Sequence, residues 1–305
     1  MEAGRLTPVD AAAVPCLVPC FAPYFAPVAR WVAATDPRAS RGIDLARLNA
    51  FAVERVVRTE AGRPLRFVDS RQAARAAPGV FYERLVDETG CVPTRTHGDG
   101  MLHDWFNALA WLAFPRTKAR LNAVHARELC ASGLEAPSAG LTPVSNDHGR
   151  PPAGARRGRA RDIATLLDES GAAFVCSNER LREAFVERDW KTLFVRERAA
   201  FSREVRVVVF GHAAYEKLLA PFKSICAHAL VLAPPAAFDD SCAFVDAVDA
   251  ALADLLRVER FAQLPLHPLP LLGVPGWCEA NEDATWYDDE SVFRRRRAAA
   301  HAGNR

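Results

Sequence analysis

Residues 103–115 form a nearly continuous apolar stretch that carries polar side chains at helical spacing. His103 and Asn107 are four residues apart, so an α-helix places both on one face. A core-forming helix has no reason of its own to carry such groups, because each buried polar group without a partner costs about 1–3 kcal/mol. The stretch therefore predicts a buried helix with one polar face, and that face marks a candidate site.

Pro115 divides this helix from a second one. Proline is tolerated in the first turn of a helix, so we expect a kink or tight corner at residues 114–116. The second helix carries Lys118, Asn122 and His125 at intervals of three or four residues, which again places them on one face. If the two helices fold back at the corner, the two polar faces could meet.

Histidine beside a carboxylate is the usual material of a metal site or of general acid–base catalysis. Our first hypothesis is a hydrolase-type enzyme in which His103, Asp104 and His125 bind a divalent metal or act as acid and base. Its candidate catalytic residues are His103, Asp104, Asn107, His125 and His212, and its candidate residues for binding a small anionic substrate are Lys118, Asn122, Glu216 and Lys217. The alternative for the helical residues is a buried hydrogen-bond network that joins the two helices.

His212 enters this set because of its place between a strand and a helix. Val205–Phe210 is a β-branched run that ends at Gly211, and a helical pattern follows at once. Ligands of alternating folds bind beyond the carboxyl ends of strands, and the first amides of a helix attract anions. His212 and Glu216 are four residues apart and could share a ligand. A role of His212 in capping or packing fits the same pattern.

Two short apolar runs, residues 163–167 and 172–176, flank the segment Asp168-Glu169-Ser170-Gly171. This arrangement predicts a β-hairpin with a four-residue turn. Carboxylates in such turns usually accept hydrogen bonds from the backbone. We therefore expect the cluster of Asp162, Thr165, Asp168 and Glu169 to serve the turn.

Further signals alternate between strand and helix. A helix is expected from a cap at Ser177 or Asn178 to Asp189, a buried strand at residues 225–232, and a helix at residues 238–258 opened by Asp239-Asp240. Additional helices are expected near residues 45–57, 79–90 and 116–130. The predicted fold is mixed α/β (α+β), with a helical pair packed on a small mixed sheet and a helical lead at the N-terminus.

The expected organisation is a lead with a helix at residues 1–80, one mixed α/β domain at residues 81–295 and a basic disordered tail at residues 296–305. A flexible loop rich in proline and glycine, residues 132–160, interrupts the domain. Residues 150–161 carry five arginines, which suit a solvated loop. The second hypothesis is a non-catalytic binding protein for nucleic acid or an acidic partner, with phosphate contacts from residues 150–161 and 294–297.

Composition narrows the class of protein only slightly. A net charge of +2 gives no global attraction to nucleic acid or membrane. The eight cysteines include no CxxC pair, which argues against a zinc knuckle or a thioredoxin-type site. The apolar residues 14–32 are interrupted by proline every four residues, which suits neither a signal peptide nor a membrane span. Together with reduced cysteines, this predicts a cytoplasmic protein without a membrane partner.

Five motifs occur in one order along the chain: VPTR at residues 92–95, HDWFNALAWLAFPRTKARLNAVH at 103–125, RD at 161–162 with TLLDESG at 165–171, GHAAYEKLL at 211–219, and LGVPGW at 272–277. Together they resemble the bacterial family called domain of unknown function 3025. The resemblance covers about residues 80–295 and is expected to be weakest in the loop and the N-terminal lead. It implies a bacterial cytoplasmic protein, and it supplies no activity because the family has none assigned.

Overall fold

A computed structural model describes residues 22–131, 158–236, 238 and 241–296. Its described part is mixed α/β, as the sequence predicted. The strands are β1 (Arg66–Asp69), β2 (Cys91–Thr94), β3 (Gly171–Cys176), β4 (Val205–Val209), β5 (Cys226–Leu232) and β6 (His267–Pro270). The helices are α1 (Ala29–Thr35), α2 (Pro37–Ser40), α3 (Leu45–Glu54), α4 (Ser70–Ala76), α5 (Tyr82–Thr89), α6 (Met101–Ala113), α7 (Pro115–Ala131), α8 (Arg159–Ser170), α9 (Glu179–Val186), α10 (Arg198–Glu204), α11 (His212–Lys217) and α12 (Cys242–Leu255).

The helical pair α6 and α7 confirms the corner expected at Pro115. Phe114 follows the last residue of α6 and Pro115 begins α7, where its missing N–H removes no helical hydrogen bond. Every residue from Asp104 to Ala113 is buried, so α6 lies inside the molecule instead of on its surface. The backbone amides of Arg116 and Thr117 donate to the carboxylate of Asp249 on α12, which caps the start of α7.

A four-stranded mixed sheet has the strand order β4-β3-β5-β6. The central strand β3 is buried along its whole length, pairs antiparallel with β4 and parallel with β5, and places Ala173 beside Val208 and Leu230. Its unbroken apolar sequence suits a strand covered on both faces. Strands β1 and β2 form a separate parallel pair.

The predicted hairpin at residues 163–176 is wrong in its first half. Residues Arg159–Ser170 form the helix α8, which runs directly into β3. Ile163, Ala164 and Leu167 recur at helical spacing and are buried, so the short apolar run belongs to one face of a helix. β4 is the antiparallel partner of β3.

Other expected elements appear with shifted ends. Asn178 caps α9, which ends at Val186 instead of Asp189. Ser241 caps α12, a helix shorter than the expected 238–258, and the predicted opening at Asp239-Asp240 lies outside the described residues. Residues 1–21, the loop segment 132–157 and the tail 297–305 also lie outside them, so the expectations for these segments stay predictions. Within the described part of the chain, no helix combines the length and the apolar character that crossing a bilayer requires.

Candidate metal site

Three side chains from distant parts of the chain meet at one point. His103 lies in the first turn of α6, Glu169 in the last turn of α8, and His212 is the first residue of α11. One potential ligand atom from each lies within 4.8 Å of the others. His212 is only 2% exposed, whereas the side chains of His103 and Glu169 are partly exposed. The group therefore has a buried side and a side that faces solvent.

Two glycines allow the segments that carry Glu169 and His212 to approach each other. A Cβ atom added to Gly211 would lie 2.5 Å from the backbone nitrogen of Ser170 and 2.6 Å from its Cα atom. A Cβ atom on Gly171 would overlap the ring of Phe210. The amides of Phe210 and Gly211 both donate to the carbonyl of Gly171 at 2.9 Å. The junction between α8 and β3 therefore packs backbone to backbone on the start of α11, which no larger residue permits.

The hydrogen bond at Nδ1 of His212 sets the tautomer of this imidazole. Nδ1 lies 2.7 Å from the main-chain oxygen of Asp168, and a carbonyl oxygen can only accept. Burial, with the nearby charge of Lys118, lowers the pKa of His212 to about 3, so the ring is neutral near pH 7. A neutral ring with its hydrogen on Nδ1 carries a lone pair on Nε2. That lone pair points into the candidate site.

His103 is held in the same manner by a different acceptor. Its Nδ1 lies 3.1 Å from Oε2 of Glu216, a carboxylate oxygen that accepts a hydrogen bond. The Nε2 atoms of His103 and His212 lie 3.0 Å apart. With hydrogen on both Nδ1 atoms, two lone pairs face each other, and Glu169 approaches Nε2 of His212 to 3.9 Å. Such an arrangement suits a cation between the groups, either a proton shared by the rings or a metal ion.

The geometry suits a divalent metal. Zinc binds imidazole nitrogen at about 2.0–2.1 Å, so two nitrogens separated by 3.0 Å subtend roughly 90–100° at the ion. Metal-bound histidines usually donate their other ring N–H to a carbonyl or a carboxylate, and Asp168 and Glu216 supply one of each. Two imidazoles and one carboxylate are a common ligand set for catalytic metals that keep an open coordination position. The group of His103, Glu169 and His212 could therefore hold such an ion.

The structure separates the other metal-ligand candidates from this group. Both carboxylate oxygens of Asp104 accept hydrogen bonds from Arg95, at 2.6–3.0 Å. His125 is buried and lines a small cavity together with Lys118 and Asp168. The set brought together is thus His103 with His212 and Glu169, where the sequence interpretation grouped His103 with Asp104 and His125.

The remaining catalytic and substrate-binding candidates differ in whether they contact the metal group, other internal residues or solvent. Asn107 donates to the hydroxyl of Tyr82, Asn122 donates to the carbonyl of Glu83, and Lys118 forms a buried ion pair with Asp168. Glu216 contacts the site through His103, and Lys217 lies exposed on α11. The three polar residues of α6 and α7 thus form internal contacts with α5 and α8, whereas the network interpretation placed the contacts between the two helices themselves.

Sequence reasoning did not identify Glu169 as a site residue, because it assigned both Asp168 and Glu169 to a turn. Both residues lie on the last turn of α8, and misassigning that helix as a strand hid their relation to His212. The available signal was the helical spacing of Ile163, Ala164 and Leu167 ahead of Gly171, a residue type that favours the end of a helix.

A wider cavity than the one beside His125 lies elsewhere. A cleft of about 660 Å³ opens where α7 begins, at the opposite end of α6 from His103. Its four arginines, Arg55, Arg58, Arg116 and Arg120, stand among four carboxylates, so its charge is balanced. At the C-terminus, Arg294 hydrogen-bonds to the carbonyl of Ser291, and Arg296 pairs with Glu187. These contacts give the nucleic-acid hypothesis no particular support.

Comparison with known proteins yields a family and no activity. Searches of curated proteins and of solved structures find no match. A family model described as "Protein of unknown function (DUF3025)" matches residues 65–297, and this range contains all three residues of the candidate metal group. The chain therefore belongs to the DUF3025 family.

Proposed function

We propose that this protein is a metal-dependent enzyme of the hydrolase type, with one divalent ion held by His103, His212 and Glu169. The observation that carries the proposal is the convergence of two imidazole Nε2 atoms, 3.0 Å apart, with a carboxylate beside them. The orientation of each ring is fixed from behind by an acceptor at Nδ1. A cation between the two Nε2 atoms would therefore meet rings that are already held in place.

The accessible side of the group is what favours catalysis over a purely structural role. Structural zinc sites are closed by four protein ligands, whereas catalytic sites keep a position for water or substrate. Within the described residues the group offers three ligands, and two of them are partly exposed. A divalent ion bound there would lower the pKa of its water toward about 7 and supply a hydroxide nucleophile.

The protein residues have separate tasks in this proposal. His212 and His103 bind as neutral imidazoles, Glu169 supplies the charged ligand, and Glu216 orients His103. Asp104 holds Arg95, whose positive charge interacts with Glu216. Lys118 and Asn122, which the sequence interpretation placed on the substrate, are buried in internal contacts and have no task at the substrate here.

Metal binding is tested by elemental analysis and by competition with a chromophoric chelator. We expect about one Zn²⁺ or Co²⁺ per chain, and loss of binding in His103→Ala, His212→Ala and Glu169→Gln. His97→Ala is the matched control, because His97 is exposed and hydrogen-bonds only to its neighbour Thr96 among the described contacts. If the wild-type protein binds no metal, the rings share a proton and the proposal is wrong.

Hydrolysis is tested on the metal-loaded protein with separate panels of esters, amides and phosphate esters. Activity that disappears on chelation, returns with added metal and is lost in Glu169→Gln would support the hydrolase assignment. Stoichiometric metal binding without turnover on any panel would show that the protein binds metal, and the enzyme assignment would be wrong.

A further inference from the structure

A buried ion pair lies directly behind the candidate metal group. Lys118 on α7 contacts the carboxylate of Asp168 on α8, and the two residues are 3% and 9% exposed. Removing two charges from water costs so much that a buried ion pair is often no better for stability than an apolar pair of similar size. The presence of this pair therefore calls for a reason other than the stability of the fold.

Asp168 links the ion pair to the metal group by two routes. Its main-chain oxygen accepts the hydrogen bond from Nδ1 of His212 at 2.7 Å, and its Oδ2 lies 3.6 Å from the same nitrogen. The next residue along the chain is Glu169, the carboxylate of the group. The position of Asp168 therefore influences both the direction of the His212 lone pair and the reach of the Glu169 carboxylate.

Lys118 is the contact that fixes Asp168 from the other side. It projects from the first turns of α7, a helix held at its start by Asp249 and joined at the Pro115 corner to α6, which carries His103. The buried ammonium contacts the Asp168 carboxylate, a partner fixed by the protein, instead of a choice of water molecules. The pair thus connects the helix pair that carries His103 to the helix end that carries Glu169.

We propose that Lys118 and Asp168 are positioning residues that set the geometry of the metal ligands His212 and Glu169. This inference rests on the proposed metal site. Loss of groups that orient metal ligands typically weakens metal affinity by about 10–100-fold, and we expect that range here. Lys118 then acts through Asp168 and makes no contact with the metal or the substrate.

The test replaces the pair with apolar residues, Lys118→Met with Asp168→Leu, and leaves the backbone carbonyl in place. The matched control is Arg55→Met with Asp246→Leu, which removes a partly buried ion pair between α12 and the residue that follows α3. Three quantities are measured for each variant: the Kd for Zn²⁺, the visible absorption spectrum of bound Co²⁺, and the thermal midpoint of the metal-free protein.

We expect the Lys118/Asp168 variant to bind Zn²⁺ about 10–100-fold more weakly than the wild type and to show an altered Co²⁺ spectrum. Its thermal midpoint without metal should be close to that of the control variant. The control variant should bind as the wild type does. Unchanged affinity and spectrum in a folded Lys118/Asp168 variant would overturn the inference and leave the metal site standing. Absence of metal binding by the wild type would instead overturn the proposed function, and this inference with it.

Asp168→Asn provides a second variant that preserves volume and an acceptor for Lys118. It removes the charge beside Nδ1 of His212 without emptying the space behind it. We expect Asp168→Asn to raise the Kd for Zn²⁺, as the double variant does. The change in the Co²⁺ spectrum should be smaller than in the double variant. Wild-type values for both would contradict the positioning role even if the double variant failed to fold.

Discussion

At the scale of single residues, His212 is constrained on every side that the structure describes. Its ring is buried, its Nδ1 is committed to a carbonyl, and its Nε2 faces another imidazole. Burial keeps this ring neutral, and a neutral imidazole is the form that binds a metal. His103 has more freedom, because its acceptor is the partly exposed side chain of Glu216.

Glu216 allows the role of such an acceptor to be measured without disturbing the core. We expect Glu216→Ala to weaken Zn²⁺ binding by about 10–100-fold, because the His103 ring loses the carboxylate that orients it and raises its basicity. The thermal midpoint of the metal-free protein should change little, since Glu216 is partly exposed. Lys217→Ala, one residue further on α11, is the control, and equal affinities for the two variants would contradict the prediction.

Gly211 is a second residue whose substitution has a clear outcome. A methyl group there overlaps the backbone of Ser170, so the start of α11 must move away from the end of α8. We expect Gly211→Ala to destabilise the protein by about 1–3 kcal/mol in chemical denaturation and to lose most of its metal affinity. Gly62→Ala is the control. Its positive φ strains an alanine, but apart from its chain neighbours no described atom lies within 4 Å of the added Cβ.

At the scale of elements, the sequence predicted where helices form better than it predicted which elements contact one another. The pair α6 and α7 follows from apolar periodicity and one proline, because both signals are local. The helix α8 was misassigned because a short apolar run before a turn-like segment fits a strand and a helix equally well. His103, His212 and Glu216 could be named because polar groups at helical spacing stand out. Glu169 could not, because its role depends on contacts with residues far along the chain.

The capping of α7 by Asp249 gives a prediction about pH. Burial raises the pKa of this carboxyl above its ordinary value of 3.8, even though two backbone amides donate to it. The folded state therefore binds the proton more tightly than the unfolded state, and the carboxyl contributes less to stability as pH rises above 3.8 toward the raised pKa. We expect Asp249→Asn to gain stability relative to the wild type over that rise. The measurement is the free energy of unfolding of both proteins at a series of pH values. A difference between them that stays constant with pH would contradict the prediction.

At the scale of the whole molecule, the candidate metal group joins three elements that the chain presents in order: α6, α8 and α11. α11 packs against both α6 and α8, so the group lies where three helices meet beside the four-stranded sheet. Binding that needs all three elements cannot occur in the unfolded chain with comparable affinity. Metal binding should therefore stabilise these three elements together instead of one segment.

Zn²⁺ is expected to raise the thermal midpoint, and the stabilisation should grow with the logarithm of the free metal concentration above Kd. At a free metal concentration of 100 times Kd, the stabilisation is about 2.7 kcal/mol. Differential scanning fluorimetry with Zn²⁺ and with chelator measures the shift. His212→Ala should abolish it, whereas His97→Ala should retain it, and an equal shift in both would place the metal elsewhere.

The junction between α8 and β3 contains no spacer, since the helix ends at Ser170 and the strand begins at Gly171. One residue inserted here would turn the helix end by about 100°, carrying Glu169 out of reach of the imidazoles. It would also exchange the two faces of β3 relative to its neighbours. Length changes at this joint should therefore abolish folding and metal affinity together, so insertions or deletions at these few residues should be poorly tolerated.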